Sequence, residues 1–369
     1  TVQDNAKIKL AYDFTPTLQG AYTFGLWENQ ADIRAQSYLT TATGTPYYGA
    51  AAGNVNLGGF RYSASSIAGQ FSAGKRDMEH QMHSLTLKTK DGGTFDWDIA
   101  LSHYDYAKHQ ERSSTGVPYP TALGGGAGRT LDMEGTGWTT ADLKATWRPE
   151  GPRSPHILSF GVHYDLYNLV SPTYNTADWI SGGHGSLFTD ARGKTEAKAI
   201  WFQDVWRFAP RLRATLGARY EQWRAFDGFN FTSGTAIAQP GLDKTGVSPK
   251  ASLAWDAAED WIVTGSLGRA LRFPTVGELY QTIQVGTVFQ SANPDLKPED
   301  VLSGELAVER SLAKGKVRVS LFEEHVKDAL ISQTANYPGI AAPTTYMQNV
   351  DKTRQRGIEL VYQQDDVLI

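Results

Sequence analysis

The sequence predicts an all-β protein, an antiparallel transmembrane β-barrel with short turns at one end and long loops at the other. Three observations carry that reading. Apolar and polar residues alternate with period two over long segments, the connections alternate strictly between short and long, and aromatic residues collect near the segment ends. Composition agrees: 369 residues are 40% hydrophobic and 20% charged, with a net charge of −4 and no cysteine. That is too apolar for a disordered chain and too balanced for a charged tail. With no basic block, nucleic acid is excluded as a partner. The absence of cysteine removes disulfide scaffolds, thiolate metal sites and a Cys nucleophile. The longest strictly apolar run is four residues, 199–202, whereas a transmembrane helix needs about 20.

Thirteen strands follow in order: 5–14, 18–29, 77–90, 94–108, 135–148, 155–169, 194–208, 211–225, 245–257, 260–272, 299–312, 315–331 and 345–363. The first sets Ile8, Leu10, Tyr12 and Phe14 against Lys7, Lys9, Ala11 and Asp13. Phe95, Trp97, Ile99 and Leu101 alternate with Asp96, Asp98, Ala100 and Ser102. Leu158, Phe160, Val162, Tyr164 and Leu166 alternate with Ser159, Gly161, His163, Asp165 and Tyr167. Leu212, Ala214, Leu216, Ala218 and Tyr220 alternate with Arg213, Thr215, Gly217, Arg219 and Glu221, and Leu302, Leu306 and Val308 stand against Ser303, Glu305, Ala307 and Glu309. Successive side chains of a strand point to opposite faces, so each segment has one apolar and one polar face. The phase is ambiguous in 194–208 and slips near Leu321–Phe322 in 315–331.

The short connections are Thr15–Thr17, Asp91–Gly93, Pro149–Ser154, Ala209–Pro210, Ala258–Glu259 and Ala313–Lys314. The long ones are 30–76, 109–134, 170–193, 226–244, 273–298 and 332–344. Antiparallel neighbours then place all short turns at one end, the asymmetry of outer-membrane barrels with periplasmic turns and extracellular loops. Phe14, Phe95, Trp97, Trp147, Trp206, Phe208, Trp255 and Trp261 lie near the short turns, and Tyr104, Tyr106, Trp138, Tyr164, Tyr167, Tyr220 and Trp223 towards the long loops. Two such groups suit the two interfacial aromatic belts of a membrane barrel. The polar faces then line a lumen. A soluble β-sandwich, turning its polar faces to water, is the competing architecture.

Arg269-Ala-Leu-Arg-Phe-Pro-Thr-Val-Gly-Glu-Leu-Tyr280 is followed by Asn293-Pro-Asp-Leu-Lys-Pro-Glu299, then by Asn349-Val-Asp and Arg356-Gly-Ile-Glu-Leu360. Together these segments resemble the barrel of TonB-dependent outer-membrane receptors. The resemblance implies a barrel of about 22 strands holding a plug, in the outer membrane of a bacterium. It also implies uptake of a scarce solute, driven by the TonB energy-coupling complex acting through the plug, with outer-membrane lipid around the wall, no catalysis and no cofactor. On that reading residues 1–369 are a partial barrel domain, with the plug, the coupling box and the C-terminal strands expected outside it. Thirteen strands are an odd number, and bacterial barrels close on an even one. In physical terms the same residues shape a loop. Pro274 ends a strand by removing a ladder donor, Thr275 caps a short helical turn to Gln281 with Glu278 three residues on, and Pro294 and Pro298 bracket a rigid turn before Glu299.

Ligand recognition is expected from the loops and lumen, at Tyr47, Tyr48, Arg61, Tyr62, Tyr119, Arg129, Tyr174, Trp179, Arg269, Arg272 and Tyr280. Their planes and positive charge suit an anionic or aromatic small molecule, a ferric siderophore first, because Arg pairs bidentately with carboxylate-like oxygens. They suit a carbohydrate or a cobalamin-like ligand second. A passive substrate-selective porin and a soluble glycan-binding module remain the alternatives. Gly124-Gly-Gly-Ala-Gly128 lacks the ending and following helix of a phosphate cradle and is expected to be a flexible outer loop. His80 and His83 are three apart on a strand and so face opposite ways, which argues against a shared metal. His103 and His163 lie on strands, and His184 in a solvated loop. No Gly-x-Ser-x-Gly elbow occurs, and no metal or catalytic residue is assigned.

Overall fold

The computed structural model describes residues 1–50, 52–232, 234–281, 283–285, 288–291, 293–335 and 344–365. Thirteen long strands form the wall: β1 Val2–Thr15, β2 Leu18–Arg34, β3 Ala73–Thr89, β4 Phe95–Ser114, β5 Gly137–Trp147, β6 His156–Val170, β7 Leu187–Ala209, β8 Leu212–Thr232, β9 Leu242–Ala258, β10 Trp261–Arg272, β11 Glu299–Leu312, β12 Gly315–Ala335 and β13 Thr344–Gln364. Each pairs antiparallel with the next, so every strand expected from alternation is present and the meander runs without a crossover. Among the described residues β1 is paired along one edge only, and no ladder joins it to β13. Of the expected 332–344 loop, residues 336–343 lie outside the described residues. No helix is long and apolar enough to cross a membrane, among the described residues.

Register shows how alternation becomes two surfaces. One row across the wall reads Ala214, Leu253, Gly265, Leu306, Leu321, Ile358. The row beside it reads Thr215, Ser252, Ser266, Glu305, Phe322, Gly357. The first is outward and bare: Leu253 is 48% and Ile358 73% exposed, and Leu10 and Leu216 stand out likewise elsewhere. Large apolar side chains so exposed over a whole face need a lipid solvent. The second row is polar and faces the lumen. A soluble sandwich would bury the apolar face, so that alternative is set aside.

The two weak strand phases resolve in the same way. In β7 the outward residues are Ile200, Phe202, Trp206 and Phe208, and Trp201 turns inward over Gly161, directly opposite it. In β12 no slip occurs at Leu321–Phe322: both ladders run on in register, and Phe322 covers Gly357 on the lumen face. Each apparent phase error is one aromatic ring lying over a cross-strand glycine, where no Cβ competes for the space.

Strands extend beyond their expected limits on the long-loop side. β2 runs to Arg34, β4 to Ser114 and β8 to Thr232, while β3 starts at Ala73 and β7 at Leu187. Above the lipid both faces meet water or loops, so hydrophobic alternation fades although the hydrogen-bonded ladder continues. Of the expected periplasmic belt, Phe14, Phe95, Trp147, Trp206, Phe208, Trp255 and Trp261 are exposed and Trp97 is half-buried. The outer belt is a partial correction: Tyr220 faces out, but Tyr104 and Trp138 are stacked at 4.2 Å on the lumen side, with Tyr167 opposite Trp138. Trp223 is buried under Phe273. Position along a strand sets height, whereas parity sets the face.

Gly128 is another correction. It opens a short strand, Gly128–Asp132, that pairs with the end of β4 and with Thr173–Thr176. A Cβ on Gly128 would lie 2.3 Å from Trp179 Cβ and 2.4 Å from the Ser113 carbonyl oxygen. The glycine serves close packing there, and the flexible-loop expectation fails at that end of the run.

Leu216→Arg places a charge in lipid and is expected to impair assembly, at a cost of about 2–4 kcal/mol near the midplane. Thr215→Arg, facing the lumen, is expected to cost far less. The fraction of heat-modifiable, folded protein in outer-membrane preparations measures both, and equal losses would contradict the facing.

Candidate functional site

The loops on the long-loop side of the wall have their own small core. Loop 35–72 contains a hairpin, Asn54–Leu57 with Phe60–Ser63, turned by Gly58 and Gly59 at φ 58 and 88. A two-residue turn with both φ positive favours Gly-Gly. Arg61 and Tyr62 ride on this hairpin and are exposed. Ser63 caps the helix Ala64–Ala68 that follows, accepting from Ser66 N. Tyr47 is half-buried beside it, its carbonyl bonded by Ser37 Oγ at 2.5 Å.

Three candidate ligand residues are instead the mortar between loops. Tyr48 packs on Tyr119 at 4.7 Å and on Phe71 at 5.1 Å. Trp179 is buried and donates from Nε1 to the Ala122 carbonyl at 2.8 Å. With Ala73 and Ala122 they form one cluster linking loops 35–72, 115–136 and 171–186. Asp178 fixes the neighbouring turn: its carboxylate accepts from Gly126 N, Ile180 N, and Ser181 N and Oγ. The bonds from Ser181 and Ile180 in particular hold that carboxyl below its ordinary range. Tyr174 stacks on His184 at 4.3 Å, so His184 is a paired loop residue. The guanidinium of Arg129 lies over the Phe188 ring at 3.3 Å.

The residues 269–299 act as a brace. Arg269 grips Asp300 with two bonds of 2.8 and 3.1 Å, and Arg272 meets Glu278 at 2.6 Å and Glu299 at 3.7 Å. The expected cap is present: Glu278 N donates to Thr275 Oγ1 while Thr275 N donates to Glu278 Oε2, on the helix Val276–Tyr280. That helix delivers Tyr280, fully buried, onto Gly193 and Gly228 of the paired strands β7 and β8. A Cβ on Gly193 would stand 2.3 Å from Tyr280 Cδ2, and one on Gly228 2.6 Å from its Cε1. Leu279, Leu296, Trp223, Leu169 and Met133 close the cluster. Asn293 and Asn349 tie the far side, through Asn293 Nδ2 to the Met347 carbonyl, Asn349 Nδ2 to the Lys297 carbonyl, and Lys297 N to Asn349 Oδ1. The structural reading of these segments therefore holds. Arg269, Arg272 and Tyr280 are tied into the brace, leaving Tyr47, Arg61 and Tyr62 in loop 35–72 and Arg129 and Tyr174 on the short paired strands Gly128–Asp132 and Thr173–Thr176.

The lumen wall below carries chemistry that loop composition did not reveal. On β3, Met78, His80 and Met82 share the lumen face, and His83 faces lipid with Tyr22 and Phe24. The opposite facing of His80 and His83 is as expected. His80 Nε2 lies 3.0 Å from His109 Nδ1, and its Nδ1 lies 3.0 Å from Tyr104 Oη. His109 Nε2 meets Glu111, which pairs with Arg76 at 2.9 Å. His80 also stacks on Tyr106 at 3.8 Å. Further round, His163 bridges Asp142 and Asp165 at 2.7 and 3.0 Å. His103 faces out, bonded to Thr139 at 2.9 Å. No group of three or more His, Cys, Asp or Glu that could hold a metal occurs among the described residues. The sequence signal missed here was Met78-x-His80-x-Met82, three donors at strand spacing.

A polar lumen face, a lipid-facing exterior and folded loops over one end define the wall of an outer-membrane β-barrel. Residues 12–367 match the family model "TonB dependent receptor-like, beta-barrel", and the chain belongs to that family of outer-membrane transporters, which are not enzymes. It is similar to the iron-regulated outer membrane virulence protein of Vibrio cholerae, 25% identical over 223 residues, covering 56% of this chain and 29% of that one. Among solved structures it resembles the copper transporter OprC (TM-score 0.65, 15% identity, 99% of this chain and 50% of that chain). It also resembles the ferripyoverdine receptor of Pseudomonas aeruginosa (TM-score 0.62, 14% identity, 99% and 47%). The chain spans about half the length of these structures and under a third of the curated relative.

Two outcomes follow for the loops. Tyr280→Ala empties the two-glycine seat and is expected to destabilise the brace by about 3–5 kcal/mol, seen as faster proteolysis within 273–298. For Asp178, a carboxyl depressed in the folded loop contributes stability above its unfolded pKa and loses it as pH falls through the folded value. Amide protection at Gly126, Ile180 and Ser181, corrected for intrinsic exchange, should persist through the ordinary carboxylate range and collapse only below it. Asp178→Ala should remove it at every pH.

Proposed function

We propose that this chain is the wall and mouth of an energised receptor that takes up a scarce metal-bearing solute, a ferric siderophore being the first assignment. The observation that carries it is the hairpin of loop 35–72, which holds Arg61 and Tyr62 exposed on the long-loop side of the strands. A cation beside aromatic planes suits the anionic, aromatic oxygens of such a ligand. The iron-regulated relative from Vibrio cholerae supports iron. Similar structures include a copper transporter, a ferripyoverdine receptor and a hemophore receptor with heme, so barrel shape by itself does not choose the cargo. In this reading a plug contributed from outside these 369 residues couples the barrel to the TonB complex, and ligand moves when the plug is displaced. A passive porin would need no such coupling.

Uptake of iron-55 complexed to a panel of siderophores, by cells with and without the intact receptor, tests the assignment. Energy-dependent uptake of at least one complex is expected, abolished by a protonophore. Arg61→Ala with Tyr62→Ala should weaken binding of that complex by about tenfold or more. Uptake indifferent to the protonophore would identify a porin, and no uptake of any ferric complex would overturn iron as cargo.

A further inference from the structure

The outward face changes character towards the long-loop ends of β10 to β13. Next above the lipid-facing row that ends in Leu306, Leu321 and Ile358, the register sets Leu267, Gly304, Glu323 and Arg356 side by side. The following outward row reads Arg269, Leu302, His325 and Arg354, and the one above it Leu271, Asp300, Lys327 and Lys352. Parity keeps these charges of β12 and β13 on the lipid side, because their ladder runs without a shift from Leu321–Ile358 to Lys327–Lys352. About 9–11 residues of a strand cross the hydrocarbon. Counted from Gly315 at the turn end of β12, the outward face leaves the lipid core between Glu323 and Lys327. The acidic groups here are already held: Asp300 takes two bonds from Arg269, and Glu323 is gripped by Arg354 at 2.6 Å and by His325. Among the described residues Lys327, Lys352 and Arg356 are left without an ion pair, and all three are exposed. At the bulge above, Asp328 lies 4.0 Å from Lys297 and Asp351 is exposed, so the balance stays positive with both included.

We propose that this outward face of β10–β13 binds a phosphorylated lipid of the outer leaflet, its phosphate groups held by Lys327, Lys352 and Arg356 beside Arg354. Lys327 and Lys352 are direct cross-strand partners, and like charges so placed destabilise a sheet unless an anion lies between them. Lys352, Arg354 and Arg356 alternate along one strand face, about 6.6 Å apart at Cα. That spacing offers successive point charges and planar guanidinium forks to phosphate oxygens. The cations stand directly above exposed Leu302, Leu321 and Ile358, so long stems can lie on apolar surface while the heads stay at headgroup level. One row below Arg356 the wall has a shallow trough. Gly265 lies there between Leu253 and Leu306, and a Cβ on it would meet nothing within 4 Å. A lipid satisfies both parts at once, with phosphate on the cations and an acyl chain down the trough. A free phosphate would meet only the upper part, in water, where salt screens it. The site faces away from the lumen, and it rests on the outer-membrane placement of the wall rather than on the siderophore assignment.

The whole receptor, extracted from outer membranes in detergent, is titrated with lipid A carrying both phosphates and, separately, with the same lipid after dephosphorylation. Native mass spectrometry reads the fraction of receptor that retains one lipid. The phosphorylated lipid should bind about tenfold or more tightly than the dephosphorylated one, and rising salt should narrow the difference. Lys327→Gln, Lys352→Gln and Arg356→Gln together should weaken retention of the phosphorylated lipid by about tenfold or more. Lys250→Gln, on the lumen face, should leave it unchanged. Millimolar inorganic phosphate should fail to displace the lipid, and displacement would assign the cations to free phosphate and overturn the lipid site. Heat modifiability checks the folding of each variant. A folded triple variant that binds like the native receptor overturns the proposal. So does equal retention of the two lipids by the native receptor, a comparison that decides even where the triple variant does not fold. Iron-55 uptake is read separately, so loss of the lipid site leaves the transport reading standing.

Discussion

The constraint on which the rest depends is that lipid offers no hydrogen bonds to a backbone. Every N–H and C=O inside the bilayer must find a partner in the protein, and for strands that partner is the next strand. The thirteen-strand meander follows: neighbours pair in sequence, turns are tight at one end, and the ladder is continuous from β1 to β13. Once the strands are fixed edge to edge, side-chain parity has only two destinations. Lipid takes Leu10, Leu216, Leu253 and Ile358, and the lumen takes Thr215, Ser252, Ser266 and Glu305. The apolar face is then a requirement of the solvent rather than a core.

Such a wall has no interior of its own, so conventional packing is found only where loops fold back on it. The two apolar clusters sit there, one around Tyr119 and Trp179 and one around Tyr280 and Trp223. Both use glycine as the receiving surface. Gly128 admits Trp179, and Gly193 with Gly228 admits Tyr280. The brace of Arg269, Arg272, Glu278, Glu299 and Asp300 then holds the loop against β10 and β11 with charge pairs at the rim. Since these pairs are half-exposed, their contribution is geometric more than energetic.

This arrangement divides the labour between mouth and wall. Exposed Arg61 and Tyr62 on a Gly-Gly hairpin present charge and a ring to whatever arrives. Deeper, the wall between Trp27 and Trp138 is lined with rings and imidazoles in contact with one another, Tyr104 and His80 at its centre.

The sequence by itself determined the strands, their order, the two-faced alternation of each strand and the asymmetry of turns and loops, because period-two alternation is a local record of a two-solvent environment. It also determined the Thr275–Glu278 cap, since both partners lie within one helical turn. It did not determine which aromatic residues point inward: Tyr104, Trp138 and Trp201 were readable as belt or strand filler until register placed them opposite Trp138, Tyr167 and Gly161. Of the eleven residues named for ligand binding, the tertiary structure turned Tyr48, Tyr119 and Trp179 into loop core and Arg269, Arg272 and Tyr280 into a brace. Loop residues carry no periodic mark of what they touch, and their partners lie tens of residues away. The pairing of His80 with His109 is of the same kind: two imidazoles separated by a long hairpin meet only because β3 and β4 share a ladder, with the bulge between Glu79 and His80 setting which side chains coincide.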